Sequence, residues 1–304
     1  MQLLDSAKAI SAKRKAPAKV VVAAGDDAAA LEAIVEAQKL GIASGVLVGN
    51  QARIISELQR LNQPPDVFEI IDEGDEAAIG KHAMRLIREK RGDIVMKGKI
   101  KTAALFKAVL DAETGLRTSQ LISDIFIFEY PAQSGARLIM ITDGGVTLSP
   151  DLKQKISLIE NAVTVAHALG NKLPRVAVLS ATETVNPALP SSVDAAILSK
   201  MNQRGQIANC LIDGPLALDN AISEEAARQK GIQSDVAGNA DILLCPNIES
   251  ANMLAKGTTY FAHLPLAHIC IGAMAPILIP SRSDSAQAKL MSIALSVVVT
   301  DVSF

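Results

Sequence analysis

The sequence predicts an α/β fold built on a mostly parallel sheet. Two observations carry this. Short apolar runs alternate with longer amphipathic stretches along the chain, the pattern of strand–helix–strand crossovers. Hydrophobic residues make up 49% of the 304 against 20% charged, ample material for a buried core. At about 150 residues per domain, this length means one large domain or two medium ones.

Each element has its own warrant. Residues 19–24 (KVVVAA) read as a buried strand, and Gly25-Asp26-Asp27 as a turn and helix cap. Residues 28–40 place Leu31, Ile34, Val35 and Leu40 on one helical stripe that Gly41 stops. Strands follow at 45–48, 68–71 and 93–96, with helices at 51–61, 75–91 and 102–110. The second half opens with strand-like runs at 124–129 and 137–142, then a turn at Asp143-Gly144-Gly145. Pro150 begins a long helix that ends near Gly170-Asn171. Strands are expected at 175–180, 208–212, 241–245 and 277–279, and helices at 193–201, 219–230, 248–256 and 285–299. No internal repeat or linker-like tract interrupts the pattern, and the best boundary candidate is 130–135 (YPAQSG).

Composition removes several function classes. A net charge of -2 supplies no basic field for nucleic acid, and 3% aromatics supply neither base-stacking platforms nor an interfacial belt. Cys210, Cys245 and Cys270 match no zinc spacing and read as buried reduced thiols. No signal peptide is read at the N-terminus, and no apolar run reaches membrane-spanning length; 264–280 is cut by Pro265, His268, Gly272 and Pro276. The expectation is a soluble cytoplasmic protein with no nucleic-acid or membrane partner.

The familiar cofactor motifs are missing. There is no G-x-G-x-x-G, no G-x-x-x-x-G-K-[ST] and no G-x-S-x-G. His82, His167, His263 and His268 form no metal pair, and no acidic cluster has ligand spacing, so no metal is expected. Three segments favour an anion. Lys97, Lys99 and Lys101 fall between a strand and a helix N-terminus, where cations and the helix dipole both attract negative charge; the alternative is a solvated basic loop. Ser281-Arg282-Ser283-Asp284-Ser285 joins the last strand to the last helix, and an Arg there suits a phosphate dianion; the alternative is a capping box with a surface Arg. Gly115-Leu116-Arg117-Thr118-Ser119-Gln120 again flanks an Arg with hydroxyls, as a site or as an ordinary polar loop.

Taken in order, VMKG at 95–98, GLRTS at 115–119, DGPLALDNA at 213–221, VAGNADIL at 236–243, PNIE at 246–249, Lys256 and SRSD at 281–284 resemble the phosphate acetyltransferase/phosphate butyryltransferase family, with wording closer to the butyryl branch. These motifs cover about two thirds of the chain. The resemblance implies reversible acyl transfer, acyl-CoA plus phosphate to acyl phosphate plus CoA, with CoA as substrate and no permanently bound cofactor. It implies a two-domain, three-layer αβα fold like the isocitrate/isopropylmalate dehydrogenases, an active cleft between domains, and a homodimer or higher oligomer. The expected domains are 1–133 with 274–304, and 134–273. By the same resemblance, Arg282 and Arg117 hold phosphate, Ser281 donates to the oxyanion or leaving group, and Asp284 is the base. Lys97, Thr118, Ser119, Glu249, Asn252 and Lys256 bind substrate.

Two departures stand out. The acetyl branch carries its Asp base seven residues after the motif serine, and that position is Ala288 here. Glu249-Ser250-Ala251-Asn252 replaces the usual Glu-Ala-Gly-Asn, and the lost glycine would restrict the backbone beside Asn252. They keep a non-catalytic CoA- or phosphate-binding paralogue as an alternative. A decarboxylating dehydrogenase on this architecture would need a metal-binding Asp cluster and a nucleotide loop, and neither is found.

Overall fold

A computed structural model describes residues 2–132 and 135–303. The chain divides into two units, Met1–Gln120 with Ala267–Phe304, and Leu121–Leu266.

In the first unit, α1 (Gln2–Ser11) leads into β1 (Ala18–Ala23), α2 (Ala28–Lys39), β2 (Ala43–Gly49), α3 (Gln51–Arg60), β3 (Glu69–Asp72), α4 (Glu76–Arg88), β4 (Ile94–Lys97) and α5 (Thr102–Val109). The central strands are buried nearly throughout, as strands of a parallel sheet covered by helices must be. β3 lies at the edge and puts Glu69 and Asp72 in water, which blunts the open backbone row. Asp27, Asn50 and Asp75 cap the N-termini of α2, α3 and α4 through their side chains.

The second unit contains β5 (Ser123–Ala132), β6 (Gly135–Thr142), α6 (Leu152–Ala168), β7 (Arg175–Leu179), α7 (Pro190–Gln203), β8 (Leu211–Leu216), α8 (Leu218–Ile222), α9 (Glu224–Gln229), β9 (Ile242–Leu244) and α10 (Ile248–Tyr260). Its strand order is β5-β6-β9-β7-β8. Phe126, Phe128, Ile139, Ile141, Leu243 and Ala251 belong to one buried cluster there.

The chain then returns to the first unit through β10 (Leu266–Ile271), β11 (Ile277–Leu278) and α11 (Ala286–Ser303). The first unit's order is therefore β3-β2-β1-β4-β11-β10, with β11 parallel to β4 and antiparallel to β10. Residues 289–299 of α11 are buried all round, against α1 and α2 among others.

Several expectations change. The boundaries expected at 133/134 and 273/274 move to 120/121 and 266/267. The reason is pairing: β5 zips antiparallel onto β6 from Ile125↔Thr142 to Ala132↔Gly135, so both strands belong to the second unit. The proposed boundary segment is the tip of that hairpin, and its Gln133 and Ser134 lie outside the described residues. The strand expected at 208–212 instead runs through Gly214-Pro215 to Leu216; it is the edge strand, where a missing N–H is tolerated. The helix expected at 219–230 splits at Ser223, whose extended backbone and hydroxyl cap α9. α1 and β10 had no counterpart in the sequence reading. Among the described residues, no helix is long and apolar enough to cross a membrane.

Candidate functional site

β1 and β4 are neighbours, yet their outer partners are β2 on one side and β11 on the other. The chain thus reverses its strand order between them, and the carboxyl ends of parallel strands at such a point are where α/β sheets take ligands. Four segments meet this edge: the turn after β1, the end of β4, and the loop and first turn around the start of α11.

Asp26 and Asp27 lie in the turn after β1. Asp27 accepts the Ala30 N–H (2.8 Å) and also faces the Lys289 amine at 3.2 Å. Lys289 is only 2% exposed, so this is a desolvated ion pair. Asp26 lies 3.7 Å from both Lys99 and Arg53.

Lys97 ends β4 and is buried at 5% exposure, with its amine on the Gly98 carbonyl (3.2 Å). Burial lowers its pKa from the usual lysine value. Asp27 opposes that shift, Lys289 and Arg282 add to it, and Asp284 opposes it more weakly. Gly98 lets the two turns touch: its N–H reaches Ala23 O at 2.8 Å, and a Cβ there would lie 2.1 Å from Ala24 O. The three lysines that pointed to an anion thus separate. Lys97 is buried in the cluster and Lys99 pairs with Asp26. The backbone N–H of Lys101, at the start of α5, is taken by Glu76 (2.7 Å).

Ser281 to Ser285 form a turn. The Asp284 N–H reaches Ser281 O (3.1 Å), and Asp284 Oδ2 accepts the Ser281 N–H (2.8 Å). Ser281 and Ser283 share a hydroxyl contact of 3.0 Å, and Arg282 projects into solvent. Asp284 is not the helix cap: Ser285 takes the Ala288 N–H (3.2 Å). Asp284 Oδ2 instead lies 4.0 Å from Nε2 of the buried His268, whose backbone N–H is held by Ser292 Oγ at 3.0 Å.

In the same unit, the Arg117 loop is stitched to the segment after β10. Thr118 Oγ1 donates to Gly272 O (2.6 Å), Met274 N–H to Leu116 O (2.9 Å), and Arg117 bridges to Ala273. Arg117 and Ser119 are exposed.

Glu249, Asn252 and Lys256 belong to the second unit, on α10 at spacings of three and four, which align them on one face. Asn252 Nδ2 donates to Gly144 O (3.0 Å). Ser250 is the third residue of a capping box with Asn247, and Ala251 is buried inside the regular helix. The replaced glycine therefore strains nothing, since helical backbone suits alanine. The loop held by Asn252 is built on Asp143. This carboxylate accepts N–H groups from Gly145 (2.9 Å), Val146 (3.0 Å), Thr147 (2.9 Å) and, weakly, Asp124 (3.3 Å). Its burial, and then the Asp124 charge, push its pKa up.

The sequence reading missed Asp27 as more than a cap, and missed Lys289, His268 and Asp143 altogether as site groups. Cys210 and Cys245 are buried thiols pushed by desolvation to about 11 and about 12, far from nucleophilic. Among the described residues, no three His, Cys, Asp or Glu side chains converge as a metal would require.

Comparison with known proteins assigns the fold and family. Residues 6–86 and 77–297 match the family described as phosphate acetyl/butaryl transferase. The chain is 43% identical over 287 residues to the phosphate butyryltransferase of Clostridium acetobutylicum, covering 94% of this chain and 95% of that one. It is 44% identical over 280 residues to the phosphate acetyltransferase of Thermotoga maritima, covering 92% and 94%. A branched-chain phosphotransacylase from Enterococcus faecalis V583 superposes with a TM-score of 0.83 at 29% identity, over 93% of this chain and 99% of the other. With matches that run nearly end to end, the chain belongs to the phosphate acetyl/butaryl transferase family.

Proposed function

We infer that the chain is an acyltransferase that moves a short acyl group reversibly between CoA and inorganic phosphate. One observation carries the reading: at the reversal point of the sheet the exposed Arg282 guanidinium stands near the Lys97 and Lys289 amines, while Lys289 is already paired with the half-buried Asp27. The planar guanidinium fork, at the edge where an α/β sheet takes ligands, matches a phosphate dianion or the phosphoryl end of an acyl phosphate.

In this reading Arg282, and Arg117 on its own loop, grip the phosphoryl oxygens. Ser281 Oγ, at the lip of the turn, donates to the carbonyl oxygen as it becomes an oxyanion. Thr118 and Ser119 extend the polar rim. Glu249, Asn252 and Lys256, along one face of α10, serve the CoA portion, with Lys256 suited to its phosphates. Holding both polyanions together lowers the barrier chiefly by orientation.

The acyl group is acetyl to butyryl, with butyryl-type chains favoured by the motif wording. The protein works in the cytoplasm, where CoA is found, and as a homodimer; exposed Met253, Tyr260 and Phe261 at α10 offer apolar surface for a second copy.

The test is CoA release, read with a thiol reagent, from acetyl-, propionyl-, butyryl- and isobutyryl-CoA, with and without phosphate and with EDTA. Phosphate-dependent release that survives EDTA is expected, fastest with the four-carbon chains. Release from none of the four, with CoA still binding, would support the non-catalytic paralogue instead.

A further inference from the structure

Forming acyl-CoA from acyl phosphate removes a proton from a thiol and ends with that proton on phosphate. A free thiol titrates near ~8.5, so the step needs an acceptor. Ala288 offers none. Asp284 already turns Oδ2 to the Ser281 N–H and faces His268.

Lys97 has the attributes of an acceptor. It is buried at the reversal point, and its amine rests on a neutral carbonyl, that of Gly98. Asp27, the carboxylate that acts on it most strongly, is held by Lys289 at 3.2 Å and by the Ala30 N–H. Arg282 adds a further positive charge from the β11–α11 loop, and Asp284 on the same loop opposes it. Asp26 is committed to Lys99 and Arg53.

We propose that the Lys97 amine is the proton carrier of acyl transfer, and that Lys289 is a positioning residue that keeps Asp27 from locking Lys97 as an ammonium. This rests on the acyl-transfer reading above. The neutral amine takes the thiol proton as the S–H bond breaks. The thiolate attacks the carbonyl carbon and the S–C bond forms. The tetrahedral oxyanion collapses, the C–O bond to phosphate breaks, and the leaving phosphate oxygen takes the proton from the Lys97 ammonium. The amine ends as it began. Burial first, and then Lys289 and Arg282, shift the Lys97 pKa down, the direction that favours the neutral amine.

The test is the pH dependence of CoA consumption with butyryl phosphate. Wild type should lose rate on the acid side as Lys97 protonates. Lys97→Met and Lys97→Arg should both fall at least ~100-fold, the usual scale of a lost acid–base group, with phosphate still raising the Tm of Lys97→Arg. Lys289→Met frees Asp27 for Lys97 and should move the acid limb to higher pH. Asp27→Asn, which keeps a helix cap, should move it to lower pH. Asp284→Asn should keep the limb and move it slightly lower. A Lys97→Arg enzyme as fast as wild type, a limb lost in Asp284→Asn, or the absence of opposite shifts at 289 and 27 would overturn the assignment. A wild type with no phosphate-dependent turnover would instead overturn the underlying activity.

Discussion

Arg282→Ala is expected to raise the phosphate KM and lower kcat/KM roughly 10- to 150-fold. That range is one charged hydrogen bond, about 1.5–3 kcal/mol, converted at ~1.4 kcal/mol per decade. The reason for a clean effect is structural. The side chain is exposed, and the turn beneath it is held by Ser281 and Asp284, so nothing in the fold depends on the guanidinium. Thermal stability should stay within a degree or so of wild type. Arg282→Lys should recover only part of the loss, because a point charge cannot reproduce a planar fork on two phosphoryl oxygens. Measuring KM, kcat and Tm on the same preparations checks this; unchanged kinetics would remove Arg282 from the phosphate site.

The second large effect is Gly98→Ala. The added Cβ would meet the Ala24 carbonyl oxygen at 2.1 Å and that of Ala23 at 3.0 Å, both backbone atoms with no rotamer to yield. The turn after β1 and the end of β4 would have to separate. We expect a loss near the upper end of overpacking, roughly 3 kcal/mol, which is about 6–12 °C in Tm for a cooperative unit of this size. Because Lys97 is the adjacent residue, activity should fall far more, by about a hundredfold for a displacement near 1 Å. Gly74→Ala is the control: a Cβ there meets nothing within 4 Å, and both stability and rate should be unchanged. Equal behaviour of the two variants would mean that the junction is not tight.

The elements around β1, β2 and β4 were readable because parallel strands buried on both faces are written as unbroken apolar runs, and because Asp27, Asn50 and Asp75 mark helix starts at the right offset. Segments in which a local signal opposed the tertiary one were not. Gly214-Pro215 reads as a breaker but sits harmlessly on an edge strand, and His268 and Gly272 concealed β10. The candidate site divides the same way. Arg282, Asp284 and Arg117 announce themselves in polar loops. Lys289 does not, since a lysine before LMSIALSVVV looks like the wet face of an amphipathic helix. Its meaning lies in Asp27, 262 residues away in sequence, and no spacing rule spans that distance.

The return of the chain to its first unit also bears on how the protein is made. β11 registers on β4 with Ile277 opposite Val95, so a strand near the start waits for a neighbour synthesised about 180 residues later. At roughly 5–20 residues per second, that wait is about 10–40 s of ribosome time. For that interval β4 shows an open backbone row, and Lys97 has neither Arg282 nor Lys289 beside it. The intervening 121–266 unit has its own buried core and can close first. The cluster of Lys97, Asp27 and Lys289 is thus completed only after β11 and the start of α11 are made, and a chain stalled before then would present β4 as a template for unwanted strand addition.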